Sequence, residues 1–326
     1  MFFKLLPFPP PYPDRVSRTT SVLILALALL LEACGGGDAA DTTPSTDGPT
    51  TTSTSLSPAA STTPTTSGPS TTTTSLPAED PADLLVVGDW GSGTLPQGAV
   101  AGAMQRYADA HEVTAILTTG DNFYSDDWEF LLEPYGWAAE SSIPFWIVWG
   151  NHDVESQNRI DAVNEAFDDP PRWSLFEWGQ VDVVVLDSNQ ITSADQAVFF
   201  LNVMEASVRP TIVVVHHPPY SCSHRGSTTE LVNQVVSLLD DDVVLVLSGH
   251  DHSYQRFLLD GVNYVVTGGG GSSLNPLSEC PTNHPELLAG AELHHFVTLE
   301  QTSEGIELTA IDVNGEGFDM VSVAFP

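Results

Sequence analysis

Four apolar runs in this chain end in the same way. LLVVGDWG (84–91), ILTTGDNFY (116–124), FWIVWGNHD (145–153) and VVLVLSGHDH (243–252) each close in a glycine followed by a side chain that can bind a metal or move a proton. One such junction is ordinary turn chemistry, because Gly permits positive φ while Asp and Asn hydrogen-bond their own backbone. Four of them need one explanation. Asp89, Asp121, Asn151, His250 and His252 combine hard oxygens with imidazoles, a mixture suited to iron, manganese or zinc and poorly suited to calcium. A fifth run, TIVVVHHPPYS (211–221), ends in two histidines and adds His216.

Side chains so far apart in sequence meet only if their segments share one sheet edge. The runs at 84–88, 113–119, 143–149, 181–187, 211–215 and 243–248 predict strands, most of them without polar alternation and so buried on both faces. Helices are predicted over 96–111, over 193–206 with Ser193 and Gln196 as a capping box, and over 228–239 with Ser227 and Glu230 in the same roles. Beyond residue 254 the pattern turns to hairpins broken at Asp-Gly, Glu-Gly and Asn-Gly. The fold class is α/β, a mixed sandwich in which the later strands are expected to form a second sheet. In open α/β sheets ligands collect beyond the carboxyl ends of the strands, where these junctions fall.

Composition divides the 326 residues into three. In segment 1–34, Arg15 and Arg18 precede SVLILALALLLEAC, too short to span a bilayer comfortably but suited to an export signal. Leu31 to Cys34 resemble a bacterial lipoprotein lipobox, which would put lipid on Cys34; Glu32 stands where a small residue is usual, so cleavage by an ordinary signal peptidase is the alternative. Residues 35–80 are almost wholly Thr, Ser, Pro, Gly, Ala and Asp, too poor in apolar surface to offset chain entropy, and are expected to form a disordered stalk open to O-glycosylation. Residues 81–326 form the remaining domain. With Cys34 lipidated, Cys222 and Cys280 are left, and an exported chain favours their disulfide. The formal net charge is -34, and the domain holds six Arg and no Lys against 36 acidic residues. Such a surface repels nucleic acid and phosphate alike, so any phosphate chemistry must take its positive charge from bound metal.

The motifs GDWG, GDNFY, GNHD, VVVHH (213–217) and GHDH, in that order, resemble those of the purple acid phosphatases within the calcineurin-like metallophosphoesterases, most of all the small tartrate-resistant type. The resemblance runs from residue 84 to about 270. It implies a four-layer α/β/β/α sandwich with two mixed sheets and a binuclear centre of Fe(III) plus a divalent Fe, Zn or Mn ion. Phosphate monoesters would be hydrolysed at acidic to neutral pH by in-line attack of a metal-bound hydroxide, without a phosphoenzyme. Carried over residue by residue, one metal would be held by Asp89, Asp121, Tyr124 and His252, and the second by Asp121, Asn151, His216 and His250. Other calcineurin-like esterases carry a histidine two residues after the first aspartate. Here Asp89 is followed by Trp90 and Gly91, and Tyr124 stands where the purple branch places its tyrosinate.

His152 and His224 resemble the two outer histidines that bind the phosphate and protonate the leaving group. The spacing from His216 to His224 is one residue shorter than in the tartrate-resistant type, and Arg225 or His217 could fill the second place. The expected partners are small phosphorylated molecules, with membrane contact only through lipid on Cys34, and the chain is expected to be monomeric. Two alternatives use the same residues: a phosphodiesterase acting on nucleotides or phospholipid head groups, selected by loops 125–142, 153–172 and 218–228, and a surface lipoprotein that keeps the fold without catalysis. The export reading predicts that Cys34→Ala moves the protein from the membrane fraction to the medium; unchanged attachment on fractionation would reject lipidation.

Overall fold

The computed structural model describes residues 82–282 and 284–326, so the export signal, Cys34 and the stalk lie outside the described residues. The chain runs β1 (Asp83–Val87), α1 (Leu95–Ala108), β2 (Val113–Thr118), α2 (Trp128–Leu132), α3 (Gly136–Glu140), β3 (Phe145–Trp146), α4 (Gln157–Phe167), β4 (Ser174–Trp178), β5 (Val181–Val185), α5 (Ala194–Ala206), β6 (Thr211–Val214), α6 (Thr229–Gln234) and β7 (Val243–Ser248). Six strands follow: β8 (Tyr254–Leu259), β9 (Val262–Thr267), β10 (Leu287–Ala291), β11 (His295–Gln301), β12 (Gly305–Asp312) and β13 (Gly317–Ala324). They assemble into two mixed sheets, ordered β13-β12-β11-β1-β2-β3 and β10-β8-β9-β7-β6-β5-β4.

Four layers explain why the strands lack polar alternation. In β1, Leu84 and Val86 face the core between the sheets, while Leu85 and Val87 face a second core beneath α1 and α4. In β7, Leu245 and Leu247 enter the inter-sheet core and Val246 packs into a third core against α5 and α6. A strand in an inner layer buries both faces, so every second residue changes core without changing polarity.

The junction-bearing strands run parallel within each sheet: β1 with β2 and β2 with β3 in the first, β6 with β7 in the second. Their carboxyl ends therefore point the same way, and five loops converge on one rim.

Several expectations need correcting. The later strands do not make a sheet of their own; β8 to β10 extend the sheet built on β4 to β7, whereas β11 to β13 join β1 to β3. Strand β3 is two residues long, Phe145–Trp146, against the expected 143–149. Segments 125–142 and 153–172, read as loops, contain α2, α3 and α4. Ser156 caps α4 by accepting the Arg159 N–H, and Ala162, Val163, Ala166 and Phe167 form its buried face, a helical pattern that short flanks concealed. The cap of α5 is Ser193 as expected, but the Gln196 side chain turns away to the main chain of Asp187. Helix α6 starts after Thr228, and the Ser227 hydroxyl instead accepts the Ser221 N–H. Cys222 and Cys280 are joined in a disulfide with Cα atoms 4.6 Å apart. Among the described residues no helix is long and apolar enough to cross a membrane.

Leu117 is fully buried between the sheets. Leu117→Ala should lower the unfolding free energy by roughly 2–5 kcal/mol, read by urea titration; a loss below about 1 kcal/mol would mean that this core is not closely packed.

Candidate metal centre

Strands β1 and β2 pair in parallel, Val87 beside Thr118, so the residues that follow them are neighbours. The Asp89 N–H donates to Gly120 O at 3.0 Å. Asp89 and Asp121 both take left-handed backbone conformations, with φ of 57° and 51°, which turn the chain sharply at the strand ends. The third junction needs Gly150, because a Cβ there would come within 2.1 Å of the Asp121 main-chain nitrogen.

Two groups of side chains result, sharing Asp121. In the first, the Tyr124 hydroxyl lies 3.2 Å from Asp89 Oδ1, 3.2 Å from Asp121 Oδ2 and 3.1 Å from His252 Nε2. In the second, Asn151 Oδ1 lies 3.1 Å from His216 Nε2 and 2.9 Å from His250 Nδ1, and His216 Nε2 is 3.3 Å from Asp121 Oδ1. Asp89, Asp121 and His216 are fully buried.

Such a cluster is electrostatically uneasy by itself. Burial raises the Asp89 carboxyl above its ordinary value, against the opposing pull of His252. Burial works in the same direction on Asp121, but His216 outweighs it and holds that carboxyl below the usual range. The same burial disfavours charge on His216, yet Asp121 lifts its imidazole to about 9. Burial, with His216 and His217 nearby, lowers His250 to about 2. Burial and the charges of Asp89 and Asp121 push the Tyr124 phenol well above its ordinary value. Among the described residues, no Arg forms an ion pair with Asp89 or Asp121.

Residues such as these fit bound cations. Two carboxylates, a phenol, an amide oxygen and imidazole nitrogens converge, and the ligand atoms of Asp89, Asp121 and His252 lie within 4.8 Å of one another. Tautomers are fixed accordingly: in the neutral ring His216 Nδ1–H donates to Thr119 O at 2.8 Å and His252 Nδ1–H to Ser273 O at 2.6 Å, so each Nε2 presents its lone pair inward.

Supporting groups missed by sequence reasoning hold these ligands. Asp153, buried in the GNHD loop, accepts the N–H groups of Gly150, Asn122 and Phe123 and the Asn122 amide, pinning two junctions together. The 268–275 segment supplies Ser273 O to His252, Asn275 Oδ1 to the His252 N–H, and the Ser272 N–H to Asp89 O. Its run of four glycines, Gly268 to Gly271, was the available signal: a Cβ at Gly268 would stand 2.7 Å from Asp89 Oδ2.

Residues 82–254, just over half of the chain, match the family model described as calcineurin-like phosphoesterase. The chain belongs to the calcineurin-like phosphoesterases. Within them it is similar to purple acid phosphatase 7 of Arabidopsis thaliana, 26% identical over 270 residues that cover 71% of this chain and 82% of that one. Purple acid phosphatase 17 of the same plant is 26% identical over 280 residues, 71% of this chain and 81% of the relative. Two solved structures share the fold. GAP50, the anchor in the inner membrane complex of Plasmodium, superposes with a TM-score of 0.64 at 19% identity, over 76% of this chain and 90% of that chain. The purple acid phosphatase PPD1 from yellow lupin seeds does so with 0.61 at 16% identity, over 74% of this chain and 53% of that chain. Within that family the chain is thus similar to purple acid phosphatases, and the family implies a binuclear metal centre.

The remaining candidates of this phosphoesterase are placed unequally. His152 stands beside the first group, its ring 4.5 Å from that of Tyr124 and its N–H donating to Asp121 Oδ1 at 2.8 Å. His224 is exposed, and no hydrogen bond joins it to the described residues. Arg225 reaches the cluster, its Nη1 3.5 Å from His250 Nε2. His217 packs 4.4 Å from the His250 ring and pairs through Nδ1 with the Ser188 hydroxyl at 2.8 Å.

Because the carboxylates raise His216, its protonation stabilises the metal-free fold fully below its ordinary value of 6.5, and that stabilisation is lost as pH rises through about 9. In chelator-treated protein, the difference in unfolding free energy between wild type and His216→Gln should shrink between pH 6.5 and 9. A difference that stays constant would show that His216 carries no proton there.

Proposed function

We propose that this chain is a metal-dependent phosphatase that hydrolyses phosphate monoesters and is exported to the cell surface or beyond. The observation that carries the reading is the Tyr124 hydroxyl lodged between Asp89, Asp121 and His252, at 3.2, 3.2 and 3.1 Å. A phenol beside two carboxylates resists ionisation, and Fe(III) is the kind of ion that favours its anion. One ion would be held by Asp89, Asp121, Tyr124 and His252, and a divalent Fe, Zn or Mn ion by Asp121, Asn151, His216 and His250. When bound, the pair would neutralise phosphate charge and make water acidic enough to attack near neutral pH. The names of the Arabidopsis relatives, both purple acid phosphatases, support the monoester reading.

His152 is the proton donor in this reading. Its Nδ1–H is taken by Glu155 Oε2 at 3.2 Å, while its Nε2 makes no hydrogen bond with the described residues and is left to hold a proton for the departing alkoxide. The main-chain N–H bond to Asp121 holds the residue, and the Tyr124 ring and Glu155 hold its imidazole, beside the proposed centre; a positioned general acid is worth roughly 10² to 10⁴ in rate.

One observation favours a second reading: GAP50 has this fold and is described as an anchor. A surface protein without catalysis would have no need of all seven ligand-type side chains, and this chain carries every one. Fold alone does not settle the choice; the side chains weigh against the anchor.

Iron-loaded protein should hydrolyse a chromogenic phosphate monoester faster than the matching diester and show a broad visible absorption band that Tyr124→Phe abolishes. Faster diester turnover would favour the phosphodiesterase alternative, and a colourless iron-loaded protein unaffected by Tyr124→Phe would reject tyrosinate ligation.

A further inference from the structure

We propose that Arg225 is the side chain that binds the phosphoryl group of the substrate, at the place where spacing suggested His224. The proposal rests on the phosphatase reading above. It starts from the six arginines, the only basic residues besides histidine in a domain with 36 acidic side chains.

Where carboxylates are so abundant, an arginine should find one, and most do. Arg159 pairs with Asp126, Arg172 with Asp187, Arg209 with Glu177 and Asp182, and Arg256 with Asp319. Arg106 donates to the Val313 carbonyl at 2.8 Å. Arg106 and Arg225 have no carboxylate partner among the described residues, but Arg106 holds a carbonyl, whereas the one hydrogen bond of the Arg225 guanidinium is to His250, a residue of the candidate metal centre, Nη1 to Nε2 at 3.5 Å.

That contact is itself conditional. Nε2 can accept from Arg225 only while the His250 proton sits on Nδ1, where it donates to Asn151 Oδ1 at 2.9 Å. If His250 instead offers its Nδ1 lone pair as a ligand, its proton moves to Nε2, and two donors then face each other. Arg225 thus loses its acceptor when His250 serves as a ligand through Nδ1, and its exposed guanidinium beside the centre is open to an incoming anion. A guanidinium matches two phosphate oxygens at once.

The backbone that carries Arg225 is firmly built. Ser221 and Ser223 both donate their hydroxyls to Asp251, the residue between His250 and His252. Ser223 Oγ accepts the Arg225 N–H at 3.2 Å, and Cys222 is tied by its disulfide to Cys280 and by its N–H to Gln255 Oε1 at 2.6 Å. The loop is therefore anchored to the same turn that presents the two ligand histidines. His224, one residue earlier, is exposed and makes no hydrogen bond with the described residues.

Arginine in this position divides the labour differently from a pair of histidines. It stays charged at every working pH and cannot give up a proton, so it binds phosphate without assisting the leaving group.

The test uses metal-loaded full-length protein and inorganic phosphate as the probe, with affinity read by titration calorimetry and metal content by elemental analysis. Arg225→Ala should weaken phosphate roughly 10- to 100-fold with metal content unchanged, as expected for loss of a charge-assisted hydrogen bond. Ester hydrolysis should show the loss mainly in KM. Arg225→Lys should recover part of the affinity, Arg225→His should make affinity fall as pH rises past about 6.5, and His224→Ala should change nothing. Phosphate affinity insensitive to Arg225→Ala, or lost in His224→Ala, overturns the proposal, as does wild type that binds no phosphate. Arg225-dependent phosphate binding without ester turnover would instead defeat the phosphatase reading and leave this assignment standing.

Discussion

Two carboxylates, Asp89 and Asp121, are buried side by side against one phenol, and no arginine among the described residues forms an ion pair with them. Like charges in a low-dielectric setting repel strongly, and His216 and His252, both drawn toward their charged forms by these carboxylates, offset part of that repulsion. Much of the molecule keeps this unfavourable group in place. The β1–β2 pair sets the two aspartates next to each other, Gly150 lets the third junction approach, and Asp153 ties the second and third loops with three main-chain N–H groups. A site that costs stability when empty gains the most from the cations it is shaped for, because their binding free energy is added to folding.

The parts legible in the sequence were those in which a local pattern has a single physical meaning. An unalternating β-branched run bounded by glycine can be little else than an inner strand, so β1, β2, β6 and β7 were found close to their true limits. Asp89, Asp121, Asn151, His216, His250 and His252 stood out because they fall just after such runs, whereas Tyr124 was singled out only by the family resemblance. Less legible was whatever depends on distant segments. Nothing local in 287–324 says that β11 pairs with β1 while β10 pairs with β8. Helix α4 was hidden in a stretch whose polar residues outnumber its apolar face. The spacing from His216 left His224, Arg225 and His217 all open, and the path of the loop past Asp251, which sets the Arg225 guanidinium beside His250, is not written in that local sequence.

The comparison with GAP50 and the lupin phosphatase shows how little the sandwich by itself decides. Both superpose on this chain to a similar degree, and their descriptions differ. What distinguishes one member of such a fold from another is held in about a dozen side chains on the rim formed by five loops, several of them fixed by main-chain groups of neighbours. Ser273, Thr119 and Asn275 contribute to this rim largely by setting the tautomer and orientation of His252 and His216.

Strand β1, which delivers Asp89, is hydrogen-bonded on one edge to β2 and on the other to β11, with Leu84 opposite Leu299. The first strand of the domain therefore waits for almost the last. As the polypeptide emerges from a ribosome or a translocation pore, β1 and β2 can pair early, but their sheet keeps a bare apolar edge until β11 to β13 arrive. Closure of so long a loop makes for slow folding and a lengthy interval in which that edge can recruit other chains. A chain cut short before β11 would keep every proposed ligand residue while leaving one side of the Asp89 strand open.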